Sequence, residues 1–204
     1  MRVISRAVYI FASILSPIMF CITAGELMLP LALAVLVHEA AHIVVLKLCG
    51  GKLKSLAPAP FGLCMEFDES SMSLCGEAMV SVSGCAANII CALVSVLLYK
   101  CFGIDNLNFA VVSLVLAIIN FIPTEPLDGG RILKIIIANF KGPETAEAVT
   151  SVITYIFGFL VFLVASYSLL TSQSGIYPLL FSAYLFGRNA KMLEKATFGE
   201  NASI

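Results

Sequence analysis

The sequence predicts an all-α membrane protein with about six transmembrane helices. Three observations carry this prediction. Of the 204 residues, 60% are hydrophobic and only 12% are charged, whereas soluble domains average about 45–50% and about 25%. The apolar residues form long runs that approach the roughly 20 residues needed to cross a hydrocarbon core. Lys and Arg cluster beside alternate ends of these runs, as they do in the cytoplasmic loops of membrane proteins.

The predicted spans follow one another along the whole chain. They cover residues 8–23, 27–48, 77–102, 107–122, 148–170 and 177–186. Span 1 follows Arg2 and Arg6 and resembles a signal peptide, but Ile22-Thr23-Ala24 is a poor cleavage site. We therefore expect span 1 to stay as an uncleaved helix. Span 6 is the shortest of the set.

Two segments interrupt the spans. Residues 49–75, after span 2, are more polar and contain two prolines, which predicts a short strand or loop insertion. After span 4, Pro123 and Pro126 break the helix, and Gly129-Gly130 allow a tight turn before a predicted helix over 131–140. Non-helical backbone at membrane depth is tolerated only inside protein or beside a wet cavity, so this segment is predicted to be re-entrant.

The distribution of Lys and Arg predicts the orientation of the chain. With the N-terminus in the cytoplasm, every basic residue except Lys100 falls on the cytoplasmic side. Both termini of this multi-pass protein are then cytoplasmic, in the cell membrane. Residues 1–204 are predicted to form a single polytopic domain, with a cytoplasmic-side insertion at 49–75 and a short cytoplasmic tail at 188–204. The net charge of −1 favours no nucleic-acid partner.

Both histidines of the chain lie in the middle of span 2, within His38-Glu39-Ala40-Ala41-His42. Positions i and i+4 share one helix face, so both rings can reach one ion at the Zn–N distance of about 2.0–2.1 Å. Glu39 lies about 100° around the helix, where it can act as a general base on water. The alternative is a histidine pair held only by hydrogen bonds, but ionisable groups inside a membrane are functional by default.

A third metal ligand has to come from another part of the chain. A catalytic zinc ion usually takes three protein ligands, and the seven cysteines form no C-x-x-C pair. Most acidic residues lie at span ends or in loops, whereas Glu125 and Asp128 lie in the broken segment after span 4. Asp128 can also serve as a helix N-cap, and both roles are compatible.

These motifs together resemble those of the site-2 protease family of intramembrane zinc metalloproteases. H-E-x-x-H on one span is followed on a later span by N-x-x-P-x-x-P-L-D-G, from Asn120 to Gly129. Gly84-Cys-Ala-Ala-Asn88 is similar to the third motif of the family, although small residues at this spacing are also typical of helix packing. The chain looks most like the bacterial sporulation branch, as a core domain without a PDZ or CBS domain.

The resemblance implies a metalloendopeptidase with one zinc ion per chain. The implied ligands are His38, His42 and Asp128, and Glu39 is the implied general base. Three further residues are implied to lie near the substrate path: Asn88, Asn120 and Pro126. The implied substrates are membrane-embedded or membrane-associated proteins cleaved near the cytoplasmic face, such as a precursor sigma factor or an anti-sigma factor. The implied partners are the lipid bilayer and a regulatory membrane protein.

Two alternatives stay open from the sequence. An intramembrane zinc transporter or metal-binding membrane protein would also place His and Asp in its spans, but it would tolerate replacement of Glu39. Residues 56–68 can offer a strand edge to an extended substrate, or they can form an ordinary solvated loop.

Overall fold

A computed structural model describes residues 25–59, 62–67, 72–172 and 179–187. The chain divides into two compact units, Met1–Phe121 and Ile122–Ile204. Predicted span 1 and the predicted tail at 188–204 lie outside the described residues.

The described part of the first unit contains three helices and a strand pair. A 3-10 turn at Gly25–Leu27 leads into helix α1, Met28–Leu48. Helix α2 covers Leu74–Phe102, and helix α3 covers Leu107–Asn120. Each of these helices packs against the other two.

The packing of α1 on α2 follows from residues spaced by four along each helix. The buried residues of α1 are Ala34, His38, His42 and Leu46. The buried row on α2 comprises Gly76, Val80, Gly84, Asn88 and Ala92. Rows spaced by four form ridges that fit the grooves of a neighbouring helix, and small residues let the two backbones approach closely. The histidines therefore face the small-residue row of α2.

The opposite faces of these helices carry large apolar side chains. Leu36 on α1 is 65% exposed and Leu93 on α2 is 61% exposed. Such exposure is costly in water but suits contact with lipid. The histidines and Asn88 are thus inside the helix cluster, and most of the large apolar side chains are on its outer surface.

An antiparallel strand pair lies within the predicted insertion at 49–75. Strand β1 covers Leu53–Ala59 and strand β2 covers Gly62–Phe67. Ala59 pairs with Gly62 next to the turn, and Leu53 pairs with Phe67 at the open end, with an irregularity between Leu53 and Ser55. Among the described residues each strand has one partner, which leaves a free backbone edge on the pair.

The second unit consists of two helices and a further helical segment in its described part. Helix α4 covers Asp128–Lys141, three residues earlier than the predicted start at 131. Helix α5 covers Pro143–Ser172. It begins earlier than the predicted 148 because proline suits the first helical position, where its missing N–H is not needed. Residues 179–187 are helical. The Phe186 ring stacks on the Tyr155 ring of α5, with 6.0 Å between the ring centroids.

Three helical segments of the described residues are long and apolar enough to cross a membrane. They are Gly25–Leu48, Leu74–Phe102 and Pro143–Thr171. Helix α3 has only 14 residues, which rise about 21 Å, less than the roughly 30 Å of a hydrocarbon core. The helical membrane character agrees with the sequence, whereas the number of six spans stays a prediction.

Candidate metal centre

The two histidines of α1 lie side by side in the interior of the first unit. His38 and His42 are 5% and 7% exposed, and their Nε2 atoms are 3.1 Å apart. A tetrahedral zinc ion with Zn–N bonds of about 2.0–2.1 Å separates two ligand nitrogens by about 3.3–3.4 Å. The separation of the two rings is therefore close to what one shared zinc ion requires.

The backbone of α2 fixes the orientation of the His42 ring. Nδ1 of His42 lies 2.7 Å from the carbonyl oxygen of Val80 and 3.2 Å from Oγ of Ser83. The Ser83 hydroxyl itself donates to the Val80 carbonyl at 2.6 Å. Because a carbonyl only accepts, Nδ1 carries the proton and Nε2 keeps a lone pair for a metal. Ligand histidines commonly donate their second N–H to a carbonyl in this way.

Val80 and Ser83 were not identified from the sequence. A backbone carbonyl has no residue signature, and a single serine on an apolar helix is unremarkable. The only available signal was position, since Val80 lies one helical turn before the Gly84 that the third motif singled out. The sequence therefore indicated the correct helix without identifying these two partners.

Asn88 supports the other ring from the same helix. Its amide nitrogen lies 3.3 Å from Nδ1 of His38, and the residue is completely buried. Its Oδ1 atom has no hydrogen-bond partner within the described part of the chain. Asn88, which the resemblance implies to lie near the substrate path, is thus a neighbour of the His38 ring.

Gly84 leaves room for both rings. A Cβ atom at this position would collide with Nε2 of His42 and would lie 2.6 Å from Cε1 of His38 and 2.8 Å from its Nδ1. Real Cβ atoms do not approach other atoms so closely, so any side chain would displace the histidines. The glycine of the third motif is therefore required by the site and not only by helix packing.

Glu39 and Asn120 complete the implied residues of the first unit. Glu39 follows His38 on α1 and is partly buried. Asn120 is the last residue of α3, and its amide donates to the Leu116 carbonyl of its own helix at 3.0 Å. The structure thus brings Asn88 into contact with His38, while the amide of Asn120 bonds within α3.

Asp128 and Pro126 lie in the second unit, where the broken segment leads into α4. Asp128 is the first residue of α4, and the N-cap position belongs to Leu127. The N-cap role considered for Asp128 is therefore wrong, because the helix starts one residue earlier than that role requires. A carboxylate in the first turn is nevertheless stabilised by the positive end of the helix dipole.

The segment before Asp128 is held by contacts within the second unit. The Glu125 N–H donates to Oγ1 of Thr154 on α5 at 3.1 Å, and the Glu125 carboxylate lies 3.4 Å from Nζ of Lys134. A Cβ on Gly130 would meet the backbone of Thr124 and would lie 2.5 Å from the Glu125 nitrogen. The start of α4 therefore packs directly on this segment, which fixes the position of Asp128 within the unit.

The donor set of this chain fits zinc. Imidazole nitrogens and a carboxylate are ordinary zinc ligands, the Nε2 separation is close to a tetrahedral value, and His42 is already protonated on its far nitrogen. The fold and the histidine pair define a class, that of helical membrane proteins with two buried histidines placed to share one metal ion.

Comparisons with known proteins show what this chain is similar to. Residues 105–164 match the model of peptidase family M50. A zinc metalloprotease from Methanocaldococcus jannaschii is 29% identical over 119 residues, which are 55% of this chain and 34% of that protein. The solved site-2 protease from Methanocaldococcus jannaschii aligns with a TM-score of 0.69 and 22% identity, over 89% of this chain and 88% of the other. These matches confirm the resemblance to the site-2 protease family. The chain spans about a third of the curated relative.

Proposed function

We propose that this protein is a zinc-dependent intramembrane endopeptidase of the site-2 type. The observation that carries the proposal is the buried histidine pair, whose Nε2 atoms lie 3.1 Å apart beside Glu39. Burial of two polar rings costs free energy that burial of two apolar side chains does not. Packing alone therefore gives no reason for histidines at these positions. The likeness to a zinc metalloprotease and to the site-2 protease fold supports the same function.

The proposed ligands are His38, His42 and Asp128, with one zinc ion per chain. Bound zinc would polarise the scissile carbonyl and make water acidic enough to lose a proton near neutral pH. Glu39 accepts that proton and returns it to the leaving nitrogen. The net reaction adds water across one peptide bond and gives a carboxylate and an amine.

The proposed substrate is a membrane-embedded or membrane-associated protein. A helix hides its carbonyls in backbone hydrogen bonds, so the substrate has to unwind locally before hydrolysis. The strand pair β1–β2 offers a backbone edge on which an extended peptide can add as a further strand. Asn120 and Pro126 are proposed to lie along this path. Precursor sigma factors and anti-sigma factors are candidate substrates, and a regulatory membrane protein is a candidate partner.

The proposed site opens towards the cytoplasm in a multi-pass cell-membrane protein with cytoplasmic termini. His38 precedes Lys47 by nine residues, which corresponds to about 13 Å along α1. Lys47 marks the cytoplasmic end of this helix by the positive-inside rule. Substrate and water thus have to reach a depth of about two to three helical turns.

The test combines zinc content with cleavage. The variant Glu39→Gln, purified in detergent, is expected to keep about one zinc ion per chain, as wild type does, because Glu39 is not a ligand. Co-expressed with a single-span membrane substrate that wild type cleaves, the variant is expected to leave that substrate intact. A zinc transporter would keep its function after this change. Cleavage by Glu39→Gln at the wild-type rate would overturn the proposal.

A further inference from the structure

The segment 122–127, which directly precedes the proposed ligand Asp128, is not helical. Two prolines in this segment have no N–H to donate. The Glu125 N–H donates outside the segment, to Oγ1 of Thr154 on α5. Contacts with the neighbouring helices therefore set the position of this segment and of the aspartate that follows it.

The Lys134 ammonium group lies between two carboxylates that come from different elements. Its Nζ atom is 3.4 Å from Oε1 of Glu125 in the segment and 3.7 Å from Oε2 of Glu147 on α5. Lys134 itself lies on α4, about 9 Å along the helix axis from Asp128 at the helix start. One cation thus joins the segment, α4 and α5.

Glu125 is the most buried member of this ion cluster. Its side chain is 15% exposed, whereas those of Lys134 and Glu147 are 32% and 40% exposed. Oε2 of Glu125 is buried and has no hydrogen-bond partner among the described residues. A carboxylate in such surroundings is costly unless a positive charge lies beside it. Without Lys134, the carboxylate would lose that charge and would have to turn towards water.

A displacement of Glu125 would reach Asp128, because the start of α4 packs on this segment. A Cβ atom on Gly130 would lie 2.5 Å from the Glu125 backbone nitrogen, so the first turn of α4 is in close contact with Glu125. The N-cap residue Leu127 donates its N–H to the Thr124 carbonyl at 2.9 Å. Both contacts couple the position of the segment to that of the aspartate.

We infer that Lys134 is a positioning residue for the metal centre. Its ammonium group neutralises Glu125 and so holds the segment in the place from which Asp128 binds zinc. This inference rests on the proposed zinc site, and it assigns Lys134 no contact with zinc, with water or with substrate. An ion pair that only stabilised the helices would leave the zinc affinity of the folded protein unchanged.

Zinc affinity tests the inference, measured on purified protein in detergent by competition with a coloured chelator. Lys134→Met keeps the apolar part of the side chain without its charge and is expected to bind zinc about tenfold more weakly. Lys134→Arg keeps the charge and is expected to bind zinc as wild type does. The matched control Lys141→Met removes an exposed positive charge at the end of the same helix and is expected to keep wild-type affinity.

The sign of the effect separates positioning from a simple effect of charge. Removal of a positive charge favours a bound cation through space, so charge alone predicts tighter zinc binding in Lys134→Met. Addition of Glu125→Gln to this variant removes the carboxylate that has lost its partner. With positioning, the double variant is expected to bind zinc more tightly than Lys134→Met, whereas charge alone predicts weaker binding.

A variant that does not fold, as seen by circular dichroism, leaves a second comparison. If Lys134→Met does not fold, the double variant is compared with the single variant Glu125→Gln. Equal zinc affinity of these two supports the inference, because Lys134 then acts only through the charge of Glu125. Weaker zinc binding or loss of folding in the double variant refutes it.

The possible outcomes separate this inference from the proposed function. Zinc affinity in Lys134→Met at or above the wild-type value refutes the role of Lys134 and leaves the zinc site in place. A double variant that binds zinc no more tightly than folded Lys134→Met refutes that role as well. A wild-type protein that binds no zinc refutes both proposals. A protein whose variants bind zinc as expected but which cleaves no substrate refutes only the protease.

Discussion

The side chains around the histidine pair form two separate supports. His42 is held by the Val80 carbonyl, which requires a proton on Nδ1, and by the Ser83 hydroxyl, which can accept or donate. His38 is held by the Asn88 amide, which can act as a donor or as an acceptor. One ring is thus held by a backbone carbonyl and the other by a side-chain amide.

Replacement of Asp128 tests the third ligand. Asp128→Asn keeps the size of the side chain but replaces the charged oxygen ligand with a weaker neutral one, so zinc affinity is expected to fall by at least about tenfold. The control Asp105→Asn changes an exposed aspartate between α2 and α3 and is expected to keep wild-type affinity. Chelator competition measures both. Equal affinity of Asp128→Asn and wild type would mean that another residue completes the site.

The residues of the site were predictable only where they form a local pattern. His38, Glu39 and His42 are identified by spacing on one helix, because a metal needs the i and i+4 positions. The contact of Asn88 with His38 depends on how α1 and α2 pack, and this register is set by many small residues together. The contact of the Val80 carbonyl with His42 was not predictable, since every residue has a backbone carbonyl and none is marked in the sequence.

Helix α2 places the site through its small residues. Gly76, Val80, Gly84 and Asn88 form one row spaced by four, and this row faces the histidines of α1. Gly84 provides space for both rings, and Asn88 and Val80 hold their outer nitrogens. The same face therefore serves both the packing of the two helices and the binding of metal.

Two glycine variants on α2 separate these roles. Gly84→Ala places a methyl group against both imidazoles, so zinc affinity is expected to fall by at least about tenfold while the helices still form. In the matched control Gly76→Ala, the new Cβ would lie 3.5 Å from the Cys49 Cβ, which is an ordinary contact. Zinc affinity and circular dichroism measure the two effects. Unchanged zinc affinity in Gly84→Ala would contradict the site geometry.

Substitution of two threonines on α5 tests the hydrogen bond that joins this helix to the segment before Asp128. Thr154→Val removes the acceptor of the partly buried Glu125 N–H, and an unpaired donor costs about 1–3 kcal/mol when it is fully buried and less when water can reach it. The control Thr150→Val removes a buried hydroxyl that bonds only its own helix, at the Ala146 carbonyl. Thermal unfolding in detergent is expected to show a larger loss of Tm for Thr154→Val. An equal loss in both variants would mean that this hydrogen bond contributes little.

The boundaries of the helices could be predicted only in part. The predicted span over 77–102 begins at Leu74 in the structure, because Ser73 caps the helix by accepting from the Gly76 N–H at 3.2 Å. The predicted helix over 131–140 begins at Asp128, since Leu127 already adopts the extended conformation of an N-cap. Hydropathy identifies the apolar middle of a helix, whereas capping residues and prolines set its ends.

At the scale of the whole molecule, the composition predicts a membrane-spanning protein, and the motifs predict the resemblance to the site-2 protease family. Three described segments are long and apolar enough to cross a membrane, and the matches confirm the family resemblance. The number of spans was harder to predict, because a 14-residue apolar helix such as α3 resembles a full span in a hydropathy profile. Orientation also stays a prediction, since it depends on the distribution of basic residues and not on the fold.

Cysteine labelling tests the predicted orientation. Cys75 at the start of α2 and Cys101 near its end are both exposed. In one variant Cys75 is the single remaining cysteine of the chain, and in the other it is Cys101. A membrane-impermeant maleimide is expected to label Cys101 in intact cells and Cys75 only after permeabilisation. Labelling of Cys75 in intact cells would reverse the orientation and would contradict a site that opens to the cytoplasm.

The central claim is that the histidine pair and Glu39 hydrolyse peptide bonds of membrane proteins. The most direct measurement compares new protein N-termini by mass spectrometry in membranes from cells that express wild type or Glu39→Gln at equal levels. We expect termini within or next to apolar segments that appear with wild type, are absent with Glu39→Gln and disappear from purified membranes treated with a zinc chelator. Identical sets of termini for wild type and Glu39→Gln would contradict the central claim.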